Sequence, residues 1–274
     1  MPLSLTGPLV LLGAGNMGGA LLKGWLAGGL DPARVVALDP APPEAMRALF
    51  ATHGIQCHAS PPVMSGPPEV IVLAVKPQIM DEVAPPVARL AATGTVVLSV
   101  AAGRTIASLA RHFAPGTAIV RSIPNTPAAV GRGITAVFAN AAATPAQRAL
   151  CQRLLAAVGA VAWVEEERLI DAATAVSGSG PAYVFLLAEC LAEAGRAAGL
   201  PAEIAMQLAR ATVAGAGELL HQSDLAPANL RQNVTSPKGT TAAALDVLMA
   251  ADGLQPLLTR AVAAAERRAR ELAV

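Results

Sequence analysis

The residues best suited to chemistry in this 274-residue chain are concentrated in one stretch, NVTSPKGTT, Asn233 to Thr241. It groups Thr235, Ser236, Thr240 and Thr241 around a Pro-Lys-Gly turn, and an apolar, Ala-rich helical segment follows as far as Met249. A hydroxyl at the end of a loop caps a helix, because its oxygen accepts from an otherwise unpaired first-turn amide. Those amides also carry partial positive charge and favour a carboxylate or phosphate in front of them. The hydroxyls here outnumber what capping needs. Two readings stand side by side: an over-furnished helix start, or a clamp for an anionic small molecule. What lies upstream bears on the choice.

Upstream, GAGNMG (Gly13, Ala14, Gly15, Asn16, Met17, Gly18) follows a short apolar run, Pro8 to Leu12, and opens an apolar helix to about Ala27. Strand, glycine turn and helix form the context in which this pattern binds a dinucleotide. The first glycine permits the turn, the second lets the backbone approach a pyrophosphate, and the third lets helix and strand pack closely. A second strand, Arg34 to Leu38, ends at Asp39, 26 positions beyond Gly13. A carboxylate there accepts hydrogen bonds from an adenosine 2′-hydroxyl and repels a 2′-phosphate. No arginine follows until Arg47, so the expectation leans to NADH over NADPH, although hydroxyls or backbone groups elsewhere remain able to hold a phosphate.

The elements that must position these residues follow in order. Val70 to Val75, Thr95 to Val100, Ala118 to Arg121, Ile134 to Phe138 and Val161 to Val164 read as further strands. The first of these are continuous apolar runs, as in a parallel sheet buried on both faces. Helices are predicted at Pro43 to His53, Ile79 to Ala91, Ile106 to Phe113 and Pro145 to Val158. Ligands of such sheets sit outside the carboxyl ends of the strands. Val75-Lys76-Pro77, Ala101-Ala102-Gly103 and Asn125-Thr126 therefore line one crevice, with Lys76 equally readable as a solvated charge. From Glu165 onward no strand pattern recurs. SGSGP (Ser177 to Pro181) interrupts a helix, either as a proline kink or as a place where another backbone or a ligand comes close. Asp224 to Gln232 reads as a loop, and Gln255 to Leu272 as an amphipathic last helix. The predicted organisation is a dinucleotide-binding domain, 1–164, and an all-helical domain, 165–274.

Composition limits the partners. A net charge of +1 gives no reason to expect nucleic acid or an anionic membrane, and 3% aromatics offers few stacking platforms. Hydrophobic residues reach 54% against 14% charged, with a mean hydropathy of +0.51. The apolar N-terminal run lacks a basic flank and is cut by glycines, and the run Ala172 to Ala188 contains SGSGP, so neither is read as a membrane span. The Ala182 to Leu191 and Glu203 to Leu220 helices carry few charges on any side. Such helices must be buried, which predicts a homodimer or larger assembly. Cys57, Cys151 and Cys190 show neither pairing nor C-x-x-C spacing, which argues against a disulfide framework or a metal site and favours a reducing cytoplasm. His53, His58, His112 and His221 are scattered and are expected to be surface or core residues.

GAGNMG, AVKP (Ala74 to Pro77), SVAAG (Ser99 to Gly103), IPNTP (Ile123 to Pro127), SGSGPAY (Ser177 to Tyr183) and NVTSPKGTT together resemble the delta-1-pyrroline-5-carboxylate reductase family, over nearly the whole chain. The resemblance implies an α/β Rossmann-type doubly wound parallel sheet, followed by an all-α domain that intertwines with a second copy. In many members such dimers assemble into a decamer of five dimers. It implies NADPH or NADH as hydride donor and a cyclic imine as the small-molecule substrate, reduced to L-proline in the last step of proline biosynthesis. The matching cofactor positions are Gly13 to Gly18, Asp39, Ser60, Ala74, Val75, Lys76, Pro77, Val100, Ala101, Ala102 and Asn233. Glu167, Thr240 and Thr241 match substrate-contacting positions, and Ser236 and Gly239 belong to the loop that holds the substrate carboxylate. The expected roles are a Thr241 hydroxyl on the ring nitrogen and the amides of Gly239 to Thr241 on the carboxylate. The family usually has glycine where this chain has Lys238, which implies either left-handed strain there or a solvent-facing or substrate-facing charge. Three rivals share parts of the pattern. A related reductase acting on a hydroxy acid or another imine would use a helical-domain lysine, and Lys238 is the sole lysine of that half. A nucleotide-sensing module has no need of the hydroxyl-rich loop, and a proline-homeostasis protein would bind without reducing.

Overall fold

The computed structural model describes residues 3–273. Eight strands form one sheet in the order β3-β2-β1-β4-β5-β6-β7-β8. These are β1 (Leu9–Leu12), β2 (Val35–Leu38), β3 (Gln56–His58), β4 (Val70–Leu73), β5 (Val96–Ser99), β6 (Ala118–Pro124), β7 (Gly133–Ala139) and β8 (Gly159–Trp163). All neighbours are parallel except β6 and β7, which run antiparallel in the register Val120 to Ala139 through Pro124 to Thr135. The order reverses direction at β1 and β4, which places the topological switch point where the glycine turn leaves β1. β3 was not foreseen from sequence. Gln-Cys-His has no apolar run, and an edge strand has only one neighbour to pair with.

The alternation of the strands builds two cores. Leu9 and Leu11 face α1 (Asn16–Ala27), α2 (Glu44–His53) and α5 (Pro145–Ala156), where Trp25, Phe50 and Leu154 cluster. Val10 and Leu12 face the other way, onto Met80, Ala84 and Val87 of α3 (Met80–Ala88) and Leu109 of α4 (Ile106–Ala110). This division follows from the two-residue period of a strand. The fully buried Trp25 donates Nε1–H to Leu154 O at 2.8 Å, so its polar atom is satisfied inside the first core. α5 begins with a capping box, in which Thr144 and Gln147 each bond the other's backbone.

Beyond the sheet the chain is helical: α6 (Leu169–Ala173), a π-helical turn (Thr174–Gly178), α7 (Gly180–Ala197), α8 (Ala202–Gln222), α9 (Pro227–Asn233), α10 (Thr240–Leu248) and α11 (Leu254–Leu272). SGSGP interrupts the regular α-helix as sequence suggested, and the π-helical turn Thr174–Gly178 carries the chain on into α7 without a loop. The expected loop at Asp224 to Gln232 also proves largely helical. α9 starts with Pro227 in its first turn, and its polar residues give no apolar period to read. The chain divides into two compact units: Ser179–Ala265 on one side, and the sheet region up to Gly178 with the stretch from Glu266 on the other. Within the helical unit α7 and α8 form a hairpin around Ala192, Ala205 and Ala209, while Phe185, at 63% exposure, and Leu186, Leu187 and Leu191 remain exposed. The 29-residue helix Leu169–Ala197 is, by length and composition alone, apolar enough to cross a membrane.

Candidate active site

The glycine turn separates structural from functional need. Gly13 has φ +93°, and a Cβ there would lie 2.8 Å from Ala74 O. A Cβ on Gly18 would meet Gly13 O at 2.1 Å. Both glycines are therefore required by the fold itself. Gly15 is different, because a Cβ on it would meet nothing within 4 Å. It is the N-cap of α1, with no side chain capping the helix, so bare backbone opens in front of the helix terminus. That open approach to a positive helix end fits a pyrophosphate.

Asp39 lies beside this turn. Its Oδ2 accepts from the Ala14 amide at 2.8 Å and its Oδ1 from the Ala41 amide at 2.9 Å. A cavity of about 430 Å³ gathers Gly13, Asp39, Ser60 and Val75 with Ile79, Glu82 and Val83 of the segment opening α3. A second cavity, of about 550 Å³, is lined by Gly15, Asn16, Met17, Lys23, Thr126 and others. Ala74 to Pro77 leave the end of β4, and Val100 to Ala102 leave β5 alongside. Lys76 is exposed and lines neither cavity. The residues present thus fit a dinucleotide: a glycine cradle, an acid at the end of β2, and small residues at the strand ends.

Along β6 and just after it the structure adds contacts that sequence reasoning had not found. Arg121 is buried, and donates Nη1 to Glu167 Oε1 at 3.0 Å and Nη2 to Asp171 Oδ1 at 2.8 Å. Glu167 Oε1 also accepts the Ile106 amide at 2.7 Å. Glu167, expected at the substrate, is therefore anchored through one oxygen only. A lone arginine inside the apolar run AIVRSIP is the signal that could have found this network, since a buried guanidinium requires paired acids. Asn125, which the sequence placed at the crevice, is committed to structural bonds instead. Its Oδ1 accepts the Ile134 amide at 2.9 Å and its Nδ2 donates to Ser177 O at 3.2 Å. In a regular helix Ser177 O would accept from residue 181, which is proline and has no N–H. The Asn125 amide replaces the missing donor and ties IPNTP to SGSGP. Arg104, directly after Gly103, pairs with Asp81 while its buried Nε has no acceptor among the described residues. Asp81 also contacts His112 Nε2 at 2.9 Å, and the Arg104 guanidinium, its strongest neighbour, holds the Asp81 carboxyl below its ordinary pKa. None of the cysteines forms a disulfide, and burial pushes the Cys151 thiol up to about 12.

The hydroxyl loop belongs to the helical unit. Asn233 ends α9, and the Thr235 hydroxyl donates to Arg231 O at 2.6 Å. Ser236 to Gly239 form a turn, closed by Gly239 N on Ser236 O at 3.0 Å. Lys238 takes φ +60°, and with Pro237 before it the turn is type II. A Cβ on Gly239 would lie 2.2 Å from Ser236 Oγ, so a side chain there would force that hydroxyl to turn away. It is also the N-cap of α10, and no side chain caps that helix. The surplus hydroxyls are thus not capping residues. Neither Thr240 nor Thr241 directs its hydroxyl or its amide to an acceptor among the described residues. The Gly239 amide, expected to be free for an anion, is instead committed to the turn.

Known proteins match this arrangement throughout. Residues 167–272 match the family described as pyrroline-5-carboxylate reductase dimerisation, and residues 8–103 that described as NADP oxidoreductase, coenzyme F420-dependent. Pyrroline-5-carboxylate reductase of Pseudomonas aeruginosa is 39% identical across 97% of this chain and 96% of its own length. The Synechocystis enzyme is 47% identical over 74% of this chain and 75% of its own. Among solved structures, a pyrroline-5-carboxylate reductase from Coxiella burnetii superposes with a TM-score of 0.91 at 35% identity, covering 98% of this chain and all of that one. The Plasmodium falciparum pyrroline carboxylate reductase, solved with NADP bound, gives 0.79 at 27% identity over 98% and 99%. The chain is a member of the pyrroline-5-carboxylate reductase family of NAD(P)H-dependent oxidoreductases, with an oligomerising C-terminal region.

Proposed function

We propose that this chain reduces the C=N bond of 1-pyrroline-5-carboxylate to give L-proline, using NAD(P)H, as the last step of proline biosynthesis in the cytoplasm. The start of α10 carries the reading: a helix N-terminus with no capping side chain, preceded by a tight turn and bearing two hydroxyls with no partner among the described residues. The amides of Thr240 and Thr241 hold the substrate carboxylate, where the helix end favours negative charge. Ser236 and Gly239 shape the turn that presents them. The Thr241 hydroxyl hydrogen-bonds the ring nitrogen, which gains electron density as its neighbouring carbon is reduced. Bound NAD(P)H supplies the hydride. The imine arrives protonated, so the site needs no strong general acid, and its work is positioning. Glu167 is a substrate contact held in place by Arg121 and the Ile106 amide. Gly13 to Gly18, Asp39, Ser60, Ala74 to Pro77, Val100 to Ala102 and Asn233 hold the cofactor.

The functional division falls near residue 165, with cofactor binding before it and substrate binding and dimerisation after it. The working assembly is a homodimer through the helical half, with five dimers forming a decamer, and neither nucleic acid nor membrane takes part. Thr241→Ala tests the central role. Its kcat/KM falls more than about tenfold while its melting temperature stays at the parent value, and Thr241→Ser recovers most of the activity. Unchanged kcat/KM in Thr241→Ala would remove this hydroxyl from the mechanism.

A further inference from the structure

The cavity that holds Asp39 contains a second acid that the sequence did not single out. Glu82, in the first turn of α3, lines the same space of about 430 Å³. The remaining lining is apolar or small, with Leu12, Leu38, Ala59, Ser60, Pro61, Val75 and the α3 residues, and it includes no Lys, Arg or His. We propose that Asp39 and Glu82 together make this protein select NADH over NADPH. The inference rests on the reading of the chain as a nicotinamide-dinucleotide reductase and names which form it takes.

The geometry fixes the first acid in place. Two backbone amides, Ala14 on Oδ2 and Ala41 on Oδ1, hold the Asp39 carboxylate at the end of β2. Each oxygen keeps a free lone-pair direction, enough to accept from ribose hydroxyls. Pinned in this way, the carboxylate cannot swing aside for a 2′-phosphate, whose charge would then face two anions across one cavity. The cation that lines a cavity nearby is Lys23, and it lines the separate one beside Gly15 to Met17. Arg47 lies in α2 and lines neither.

Isothermal titration of the full chain with NADH and with NADPH reads this directly, without turnover. NADH is expected to bind at least about tenfold more tightly than NADPH in the parent protein. Glu82→Lys, at an exposed position, tightens NADPH at least about fivefold and leaves NADH within about twofold. Asp39→Ser acts in the same direction but also removes two backbone anchors, so Glu82→Lys decides if that variant fails to fold. Equal or tighter binding of NADPH by the parent overturns the inference while leaving the reductase reading intact, as does a Glu82→Lys variant with parent affinities. NADPH binding that Lys23→Ala abolishes overturns it too, by placing the phosphate in the other cavity. Binding of neither dinucleotide overturns both the inference and the reading beneath it.

Discussion

Lys238 is the one described residue other than glycine with a positive φ. Pro237 fixes the first central position of its turn and the Gly239–Ser236 hydrogen bond closes it, and the φ of +60° at Lys238 makes the turn type II rather than type I. That conformation costs an L-residue roughly 1 kcal/mol relative to glycine. The strain reading of this position is therefore the one the structure supports, while the exposed side chain leaves the ammonium in solvent. Lys238→Gly should be more stable than Lys238→Ala by about 1 kcal/mol in chemical denaturation, because only the alanine keeps a Cβ in the left-handed region. Equal stabilities would mean that the turn relaxes out of this conformation. At this scale the sequence was legible where chemistry and spacing coincide: GAGNMG, Asp39 and the hydroxyl loop could all be read from residue types. The partners of Arg121 and Asn125, and the place of Glu82 in the cavity, could not, because only the fold brings those groups together.

Among the elements, the passage from α6 through the π-helical turn into α7 shows how a helix tolerates its own proline. Pro181 cannot donate to Ser177 O, and Asn125 from the end of β6 supplies that bond from outside. The same side chain accepts the Ile134 amide at the start of β7. Asn125 therefore joins the antiparallel pair of strands to the helix through a single amide. Asn125→Ala leaves one part-buried acceptor and one part-buried donor without their partners, and should cost roughly 1–2 kcal/mol in denaturant unfolding. Asn125→Asp keeps the acceptor for Ile134 and loses the donor to Ser177, and should fall between. A cost near zero for the alanine variant would show that water replaces both bonds. Helix and strand identities were readable where apolar periods were strong, as at β1, β4 and β5. They failed at β3 and α9, which are short and polar and carry no apolar period to read.

For the whole molecule, the apolar excess has a location. α7 exposes Val184, Leu187 and Leu191, which recur at helical spacing on one face, and the stretch containing them matches the family dimerisation region. A partner subunit covering this face accounts for a composition that is 54% hydrophobic. Light scattering at micromolar concentration should give a dimer or a multiple of it. Leu187→Asp should shift the protein towards monomer or insoluble material, because a buried unpaired carboxylate costs several kcal/mol. A monomeric parent protein would contradict the account of α7. The expectation of an assembly came from composition and helix texture alone, whereas the number of copies is set by contacts between them that no single chain contains.

The central claim concerns the reaction, and the most direct measurement follows NAD(P)H absorbance with racemic 1-pyrroline-5-carboxylate while the proline formed is resolved by chiral chromatography. Cofactor consumption that requires the imine and yields one molecule of L-proline per molecule oxidised, with no D-proline, is the predicted result. Oxidation indifferent to the imine, or none at all in a protein that binds the dinucleotide, would contradict it.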